Sequence, residues 1–566
     1  MAIEAGTHAE PDAGDGSGDE KLPLGLTLLA GAVAALVVLP LAWLVVTAAG
    51  IDPESALATL LRPRTLQIVV NSVVMVTLVT VISVVIAVPL AYLTTRTDLP
   101  FPRFWTVAVS MPLVIPSYIG AFAFVSAFGP NGELQSLLAP VGVESLPSVY
   151  GLEGTVLVIT LYTYPYVYLS ARASLKTMDE RLIDAARTLN HSPREAFRRV
   201  VLPQVTPAVT AGSLLVALYA LSDFGTPAIM RYDVFTRVIF VNRFELDFAA
   251  LLSLQLVAAT LFILAIESRV RGREVQSGGG GRREVRHSLG WVKWLATAAC
   301  GALVTLALVV PIGILGLWLV RAGPTGDSGR FSIVYVLNSV GVSAAAALVA
   351  ALASIPVAYL AVRHRGRVAA VFERATYVGY AVPGVVIGLA LVFFGARYTP
   401  AVYQTLPLLV FAYVVRFLPI AVGSTRASLL GVDPDLQAAA RVLGRSATGA
   451  FRSVTLPLVA PGILAGAALV FLTTMKELPA TLMLRPTGFE TLVIRVWRAE
   501  SAGYVGAAAV PALILVLVSA LSMVVLLSQE GGDAVSPGAG ETGARSDSQQ
   551  TGDTADTPPQ SGESGP

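Results

Sequence analysis

The sequence predicts an all-α membrane protein made of two fused six-helix halves. Apolar runs of bilayer length recur, charged residues are scarce, and the second half repeats the first. Of 566 residues, 55% are hydrophobic and 13% are charged, and the mean hydropathy is +0.71. A soluble domain is about a quarter charged, and a membrane span needs about 20 apolar residues. The composition therefore excludes a soluble globular protein and indicates a polytopic one.

The apolar runs predict about twelve transmembrane helices. In the first half they lie at 24–49, 66–95, 104–128, 153–171, 206–223 and 247–266. In the second half they lie at 292–320, 333–362, 375–396, 402–424, 460–483 and 503–528. Because each half crosses the membrane six times, the two repeats have parallel topology.

The stretches between and outside these runs predict the domain organisation. Four glycines starting at Gly278 make a flexible joint, and the two chain ends are too polar to fold alone. The predicted segments are an acidic tail at 1–22, a first membrane half at 23–268, a flexible basic linker at 269–289, a second membrane half at 290–529 and an acidic disordered tail at 530–566.

Short motifs recur between the halves at fixed offsets. PLAYL returns as PVAYL 267 positions later, and RASL returns 254 positions later. The second half is therefore shorter in between, and the first half carries an extra loop within Gly129–Tyr150. The recurring motifs begin at Asn71 and Asn338, at Pro89 and Pro356, around Pro116 and Pro383, and at Arg172 and Arg426.

Arginine and lysine predict the orientation, because they gather in short cytoplasmic loops. Seven of them lie between the fourth and fifth runs, and Arg363, Arg365 and Arg367 lie between the eighth and ninth. The linker is also basic, whereas Gly129–Tyr150 has no Lys or Arg. We therefore expect both termini and the linker in the cytoplasm.

One polar element occurs twice on the predicted cytoplasmic side. DAARTLNHSPREAFRRVVLP, Asp184–Pro203, is the first repeated element, and AAARVLGRSATGAFRSVTLP, Ala438–Pro457, is the second. They share eleven of twenty residues without a gap. Each is predicted as helix, turn, helix, with a left-handed C-cap at Asn190 or Gly444. Pro203 is predicted to end the second helix.

The repeated elements resemble the EAA motif of ABC importer permeases, and the resemblance covers one permease domain per half. It implies a coupling helix that docks in a groove of a separate ATP-hydrolysing subunit. The positions that match the motif are Asp184, Ala185, Ala186, Leu189 and Asn190, and Ala438, Ala439, Ala440, Leu443 and Gly444. The acidic residue is missing at Ala438, and Asn190 replaces the usual glycine. We expect two docking sites of similar shape and unequal chemistry.

Two further stretches are similar to fused permeases of the iron(III) importer type. They are SDFGTPAIM at Ser222–Met230 and TMKELPATLMLRPTGFETLVIRVW at Thr474–Trp497. The resemblance implies two ABC ATPase subunits, an extracytoplasmic substrate-binding protein and iron(III) as cargo. Related fused permeases are associated with thiamine and other small solutes, so another cargo stays open.

Four charged residues near the predicted spans are candidates for the translocation pathway, since ionisable groups in membranes are costly. They are Asp223, Arg416, Lys476 and Glu477. Asp223 and Glu477 align at the offset of 254, and a pair of carboxylates suits a hard cation. The alternative is an ion pair of Glu477 with Arg416 or Lys476, or residues at helix ends that reach the interface.

Other chemistries have no support in the sequence. There is no P-loop motif, so ATP hydrolysis is expected on a separate subunit. No catalytic constellation, cofactor motif, metal-ligand spacing or nucleic-acid-binding pattern occurs, and Cys300 is the single cysteine. We expect a non-enzymatic transport subunit. Two rivals stay open, an ion-coupled secondary transporter and a membrane scaffold or receptor that does not transport.

Overall fold

The computed structural model is helical, and its described residues contain no β-strand beyond one isolated bridge. The described residues are 23–129, 132–142, 148–178, 195, 199, 201–271, 287–322, 331–364 and 366–532. Residues up to Met523 form one compact unit, and the chain from Val524 onwards forms a second unit.

The helices of the first half are α1 (Leu24–Ala49), α2 (Pro53–Leu60), α3 (Pro63–Arg96), α4 (Pro102–Ser110), α5 (Ser117–Phe128), α6 (Glu133–Leu138), α7 (Leu152–Thr177), α8 (Leu202–Ser222), α9 (Gly225–Ile229), α10 (Phe235–Val241) and α11 (Leu246–Arg271). Helices α3, α7, α8 and α11 pack on one another as its core.

The helices of the second half are α12 (Val292–Val304), α13 (Val310–Ala322), α14 (Ile333–Arg363), α15 (Arg367–Ala381), α16 (Gly384–Tyr398), α17 (Leu406–Leu430), α18 (Pro434–Val442), α19 (Ala447–Ala450), α20 (Leu456–Met475), α21 (Pro479–Leu484), α22 (Leu492–Ser501) and α23 (Val505–Gly532). Its core packs α14, α17 and α20 together, as α3, α7 and α8 pack in the first half.

The all-α polytopic fold is confirmed, and described helices lie at all twelve predicted positions. Eight described helices are long and apolar enough to cross a membrane, or ten if each of two bent pairs is one span. Helices also lie at the other two predicted positions. Neither of these two helices is among the eight: α7 carries four tyrosines, and the apolar part of α23, Gly506–Leu521, is short.

The third predicted span of each half is a bent pair of helices. The two helices meet at 92° in the first half and at 102° in the second. The breaks lie at Pro116 and Pro383, and the preceding Ile115 and Val382 have extended backbone, which a following proline favours. Two predicted single crossings are thereby corrected to proline-broken pairs: 104–128 and 375–396.

The repeat predicted from Asn71-Ser72 and Asn338-Ser339 is present as matched hydrogen bonds. Asn71 donates to the Asp233 carbonyl at 2.9 Å, and Asn338 donates to the Glu490 carbonyl at 2.9 Å. The hydroxyl of Ser72 accepts from the backbone N–H of Phe235, and that of Ser339 accepts from Leu492. Each pair therefore ties α3 or α14 to the segment that follows the fifth span of its own half.

Glycine allows close packing at equivalent positions of the two cores. A Cβ at Gly212 would lie 2.8 Å from the Val167 Cα, and a Cβ at Gly466 would lie 3.1 Å from the Ala421 Cα. Small residues at helix contacts let membrane helices approach closely. The offset of 254 relates both the glycines and their contacts, so the helix packing is repeated together with the sequence.

The first helix of each half packs on the opposite half. Helix α1 lies against α14, α15 and α17, and Trp43 contacts the Tyr398 ring at 4.9 Å. In return, α13 packs on α5, where Trp318 contacts the Phe122 ring at 5.1 Å. The buried Cys300 of α12 belongs to a core cluster formed mostly by the first half. The two repeats are thus interlocked in space.

The end of the predicted linker is fixed to the end of α3. Thr97 and His287 form a backbone bridge. The Leu289 N–H donates to the Asp98 carboxylate at 2.7 Å and holds the pKa of that carboxyl below its usual value. The middle of the linker, 272–286, lies outside the described residues.

Candidate coupling elements and translocation pathway

The second repeated element begins with a capped helix on the protein surface. The Asp433 side chain accepts a hydrogen bond from the Asp435 N–H at 2.9 Å, and Pro434 follows at the first helical position. Both are favoured at a helix N-terminus. No residue of α18 is buried, so the helix lies on the surface of the second half.

This helix ends in the predicted left-handed turn. Gly444 has a φ of 88°. The Gly444 N–H donates to the Arg441 carbonyl at 3.0 Å, and the Arg445 N–H donates to the Ala440 carbonyl at 3.1 Å. These two bonds form a Schellman motif, which satisfies carbonyls that a helix end leaves open. The structure thus confirms the C-cap at this position.

The apolar face of α18 is uncovered. Leu443 is 85% exposed and its neighbour Val442 is 87% exposed. Ala439 and Leu436 are also exposed, one and two turns earlier on the helix respectively. Exposed apolar groups that adjoin one another mark an interaction surface, and the small alanine side chain lets a partner come close.

The second helix of the element starts as predicted and then continues further. Ser446 accepts from the Gly449 N–H at 3.1 Å and caps α19. The chain then passes through the π-helical turn Phe451–Thr455 into α20, with Pro457 in its first turn. The expectation that Pro203 ends a helix is wrong, since Pro203 lies in the first turn of α8. A π turn accommodates the proline, which lacks an N–H to donate.

Two contacts hold α18 to the second half. Gln437 and the Tyr359 hydroxyl bond to each other at 2.9 Å, and the Tyr359 ring meets Phe451 edge-on at 5.4 Å. Arg363, in the last turn of α14, donates to the carbonyl of Val432 at 2.9 Å. Val432 immediately precedes the cap of α18, so the entry to the element is anchored to α14.

The first repeated element lies largely outside the described residues. This includes all of its predicted coupling positions, namely Asp184, Ala185, Ala186, Leu189 and Asn190. Its entry is described, however. The buried Arg96 at the end of α3 donates to the carbonyls of Leu175 and Met178. Arg96 and Met178 are the repeat equivalents of Arg363 and Val432.

The candidate pathway acid of the first half is surrounded by neutral donors. Ser117 donates to the Asp223 carboxylate at 3.0 Å, and the Gly225 N–H donates at 3.2 Å. Tyr219 donates in turn to the Ser117 hydroxyl at 3.1 Å. Thr236 donates to the Asp223 backbone carbonyl at 2.7 Å. The carboxylate is therefore oriented by hydroxyl and amide groups.

The equivalent acid of the second half forms an ion pair. Arg416 lies 3.0 Å from Glu477, which is 6% exposed and also accepts from the Ala480 N–H. A Cβ at Gly384 would lie 1.8 Å from the Arg416 guanidinium, so the absence of a side chain there makes room for the pair. Lys476, at the end of α20, is half-buried.

Sequence reasoning identified Arg416 as a possible partner of Glu477, but it missed Ser117, Gly384 and Tyr162, which also create this difference. At the repeat offsets, Ser117 corresponds to Gly384, and Tyr162 corresponds to Arg416. The signal was present in the sequence, since Ser117 and Gly384 follow the aligned prolines of the third span. Among the described residues, no three His, Cys, Asp or Glu side chains gather as a metal-binding group.

The chain is similar to known transport proteins over most of its length. The family described as binding-protein-dependent transport system inner membrane component matches residues 55–270 and 350–529. An Fe(3+)-transport system permease protein, FbpB 2 of Haemophilus influenzae, is 32% identical over 514 residues, which cover 89% of this chain and 98% of that protein.

Other relatives carry different cargo names. A putative ferric transport system permease protein, FbpB 1 of Haemophilus influenzae, is 22% identical over 76% of this chain and 72% of its own length. A probable molybdenum ABC transporter permease of Haloferax volcanii is 30% identical over 40% of this chain and 82% of its own length.

The fold, the doubled element and these relatives define a multi-pass permease subunit of an ABC transporter. More particularly, the chain belongs to the family of binding-protein-dependent transport system inner membrane components and contains two fused permease domains. Proteins of this class act as transport subunits and work with ATPase and substrate-binding partners.

Proposed function

We propose that this chain lines the translocation path of an ATP-driven importer, with two separate ATPase subunits docked on the two repeated elements. ATP binding draws the ATPases together, and the repeated elements transmit this closure to the membrane helices. The halves thereby rock from inward-open to outward-open, and an extracytoplasmic binding protein then delivers cargo. In this arrangement both termini are cytoplasmic.

The second repeated element carries this proposal. It presents uncovered apolar side chains at Val442 and Leu443 on a helix whose two ends are fixed by Asp433 and Gly444. A rigid helix with a small apolar face suits a groove in a partner. An ion-coupled transporter has no need of such a surface, and a scaffold has no need of acids at equivalent positions.

We propose iron(III) as the cargo. Support comes from the ferric names of two relatives and from Asp223, whose carboxylate oxygens suit a hard cation. Binding of iron(III), thiamine and molybdate to the partner substrate-binding protein, measured by calorimetry, tests this assignment. Tight binding of thiamine or molybdate with no binding of iron(III) contradicts it.

The mechanism is tested by purification and uptake. We expect the chain to co-purify with an ABC ATPase, and uptake into vesicles to stop when the P-loop lysine of that ATPase is changed to alanine. A matched control leaves the ATPase intact and dissipates the ion gradients. Uptake that survives the P-loop change and stops with the gradients would establish secondary transport instead.

A further inference from the structure

Helices α3 and α14 are bonded at both ends at equivalent positions of the repeat. At one end, Arg96 and Arg363 donate to the backbone carbonyls of Met178 and Val432. At the other end, Asn71 and Asn338 donate to the segments that follow the pathway acids. The bonds at both ends of the helix recur in both halves, although the first half has a longer loop between its third and fourth predicted spans.

We propose that α3 and α14 are struts that transmit the movement of the repeated elements to the outer ends of the pathway, with Arg96 and Arg363 as the positioning residues. This inference rests on the proposed function. The inference adds to that function a route by which movement passes through the membrane helices. It also assigns Arg96 and Arg363 a role that docking of an ATPase alone does not require.

The lengths of the two helices fit this role. Ser72 and Arg96 are 24 residues apart, as are Ser339 and Arg363. At 1.5 Å per residue this is ~36 Å, enough to cross the ~30 Å hydrocarbon core. Each helix stays helical over this distance, through Pro89 in α3 and Pro356 in α14, and both prolines lie at the same place in the repeat. A shift at one end is therefore transmitted along the helix to the other.

The positions of Arg96 and Arg363 make their charge unfavourable through burial and favourable through the helix dipole. Arg96 is only 6% exposed, and burial of a charged side chain is unfavourable unless it is hydrogen-bonded. Both arginines lie in the last turn of a helix, where a cation is favoured by the helix dipole. A guanidinium also donates several bonds in fixed directions, which orients the carbonyl at the entry to each element.

In the first half the bonds continue to the pathway acid. Ser72 accepts from the Phe235 N–H, and the adjacent Thr236 donates to the Asp223 carbonyl at 2.7 Å. A contiguous series of contacts therefore runs from Met178 through Arg96 and α3 to Asp223. Coupling between distant sites needs such a physical connection, together with two arrangements of the element that carries it.

The test measures the coupling ratio, which is cargo transported per ATP hydrolysed, in vesicles with the ATPase and the binding protein. We expect Arg363→Gln to lower this ratio roughly tenfold, since a charged hydrogen bond is lost, and Arg96→Gln to act similarly. Basal ATP hydrolysis should persist. Arg363→Lys, which keeps a cationic donor, should recover part of the ratio.

A further variant tests the opposite end of α14. Asn338→Ala removes the bond to the Glu490 carbonyl, far from the ATPase contact. We expect it to lower the coupling ratio while ATPase binding stays normal. A merely structural role predicts lower thermal stability and less active complex with an unchanged ratio, and that result would overturn the inference.

The wild-type complex separates this inference from the proposed function. If the wild-type chain binds no ATPase, the proposed function fails. If the wild-type complex transports and Arg363→Gln, Arg96→Gln and Asn338→Ala all keep its coupling ratio, only the strut role fails.

Discussion

Asp223 and Glu477 occupy equivalent positions after the fifth span of each half, yet their carboxylates have different partners. Asp223 accepts from the Ser117 hydroxyl and a backbone N–H. Glu477 is neutralised by Arg416 at 3.0 Å. Within the described residues Asp223 has hydrogen-bond donors and no ion-pair partner. The duplicated backbone therefore holds one carboxylate paired with an arginine and one that, among the described residues, is bonded to neutral donors.

The largest expected effect tests the carboxylate that is paired with an arginine. Arg416→Met leaves Glu477 buried without its cation, and loss of one partner of a buried pair costs about 3–5 kcal/mol. We expect a large fall in the thermal stability of the purified chain in detergent. Asp223→Asn, which removes a charge that has no cation partner, should change stability much less.

The double variant Arg416→Met/Glu477→Met is the control for this prediction. It removes both charges, so we expect most of the lost stability to return, as replacements of buried pairs by apolar residues often show. If the double variant is as unstable as Arg416→Met, the ion pair is not the cause of the loss, and the proposed difference between the halves is contradicted.

A smaller effect on thermal stability is expected when the residues that follow Pro116 and Pro383, namely Ser117 and Gly384, are exchanged. Gly384→Ser places an atom where the Arg416 guanidinium lies, and overpacking of this kind costs about 3 kcal/mol. The reverse change, Ser117→Gly, loses one hydrogen bond to Asp223 and about 1 kcal/mol. Thermal unfolding of the two variants measures the difference. Equal losses would show that the space at Gly384 is not reserved for the ion pair.

Much of the fold was predictable because membrane burial imposes a simple pattern. Long apolar runs gave the helices, and offsets of 267 and 254 gave the repeat, whose Asn-Ser pairs prove to be matched anchors. The bends at Pro116 and Pro383 were not predicted, because hydropathy averages over a proline break. The packing of α1 and α13 on opposite halves depends on contacts between distant segments, which periodicity does not contain.

The candidate site was predictable where local backbone chemistry decides it. Gly444 was identified as a C-cap, since a left-handed residue after a helix favours glycine. The partner of Glu477 was left open between Arg416 and Lys476, because the choice depends on which helices face each other. The contrast between Ser117 and Gly384 was visible in the alignment of the halves. Its consequence became clear only from the structure, which places Ser117 beside Asp223 and Gly384 beside the Arg416–Glu477 pair.

A third prediction compares the repeated elements. Asp184 supplies a carboxylate at a position where the second element has Ala438. We expect Asp184→Ala to weaken ATP hydrolysis stimulated by the loaded binding protein by about tenfold, the equivalent of about 1.5 kcal/mol for a charged hydrogen bond. Ala438→Asp should change the same rate less. Equal and negligible effects of both changes would contradict unequal docking chemistry.

The smallest expected effect concerns the turn predicted at the end of the first helix of each repeated element. Gly444 has a φ of 88°, and a Cβ there meets no atom within 4 Å. Gly444→Ala is therefore opposed by backbone strain alone, about 1 kcal/mol, and should lower stimulated ATP hydrolysis several-fold with little loss of thermal stability. Asn190→Gly is the matched change in the first element. Because glycine adopts this conformation more easily than asparagine, we expect it to leave hydrolysis unchanged or slightly raised. The contrary outcome is a fall in stimulated ATP hydrolysis on Asn190→Gly equal to that on Gly444→Ala. It would mean that the first element depends on the Asn190 side chain and not on a left-handed turn. The two elements would then differ in shape as well as in charge.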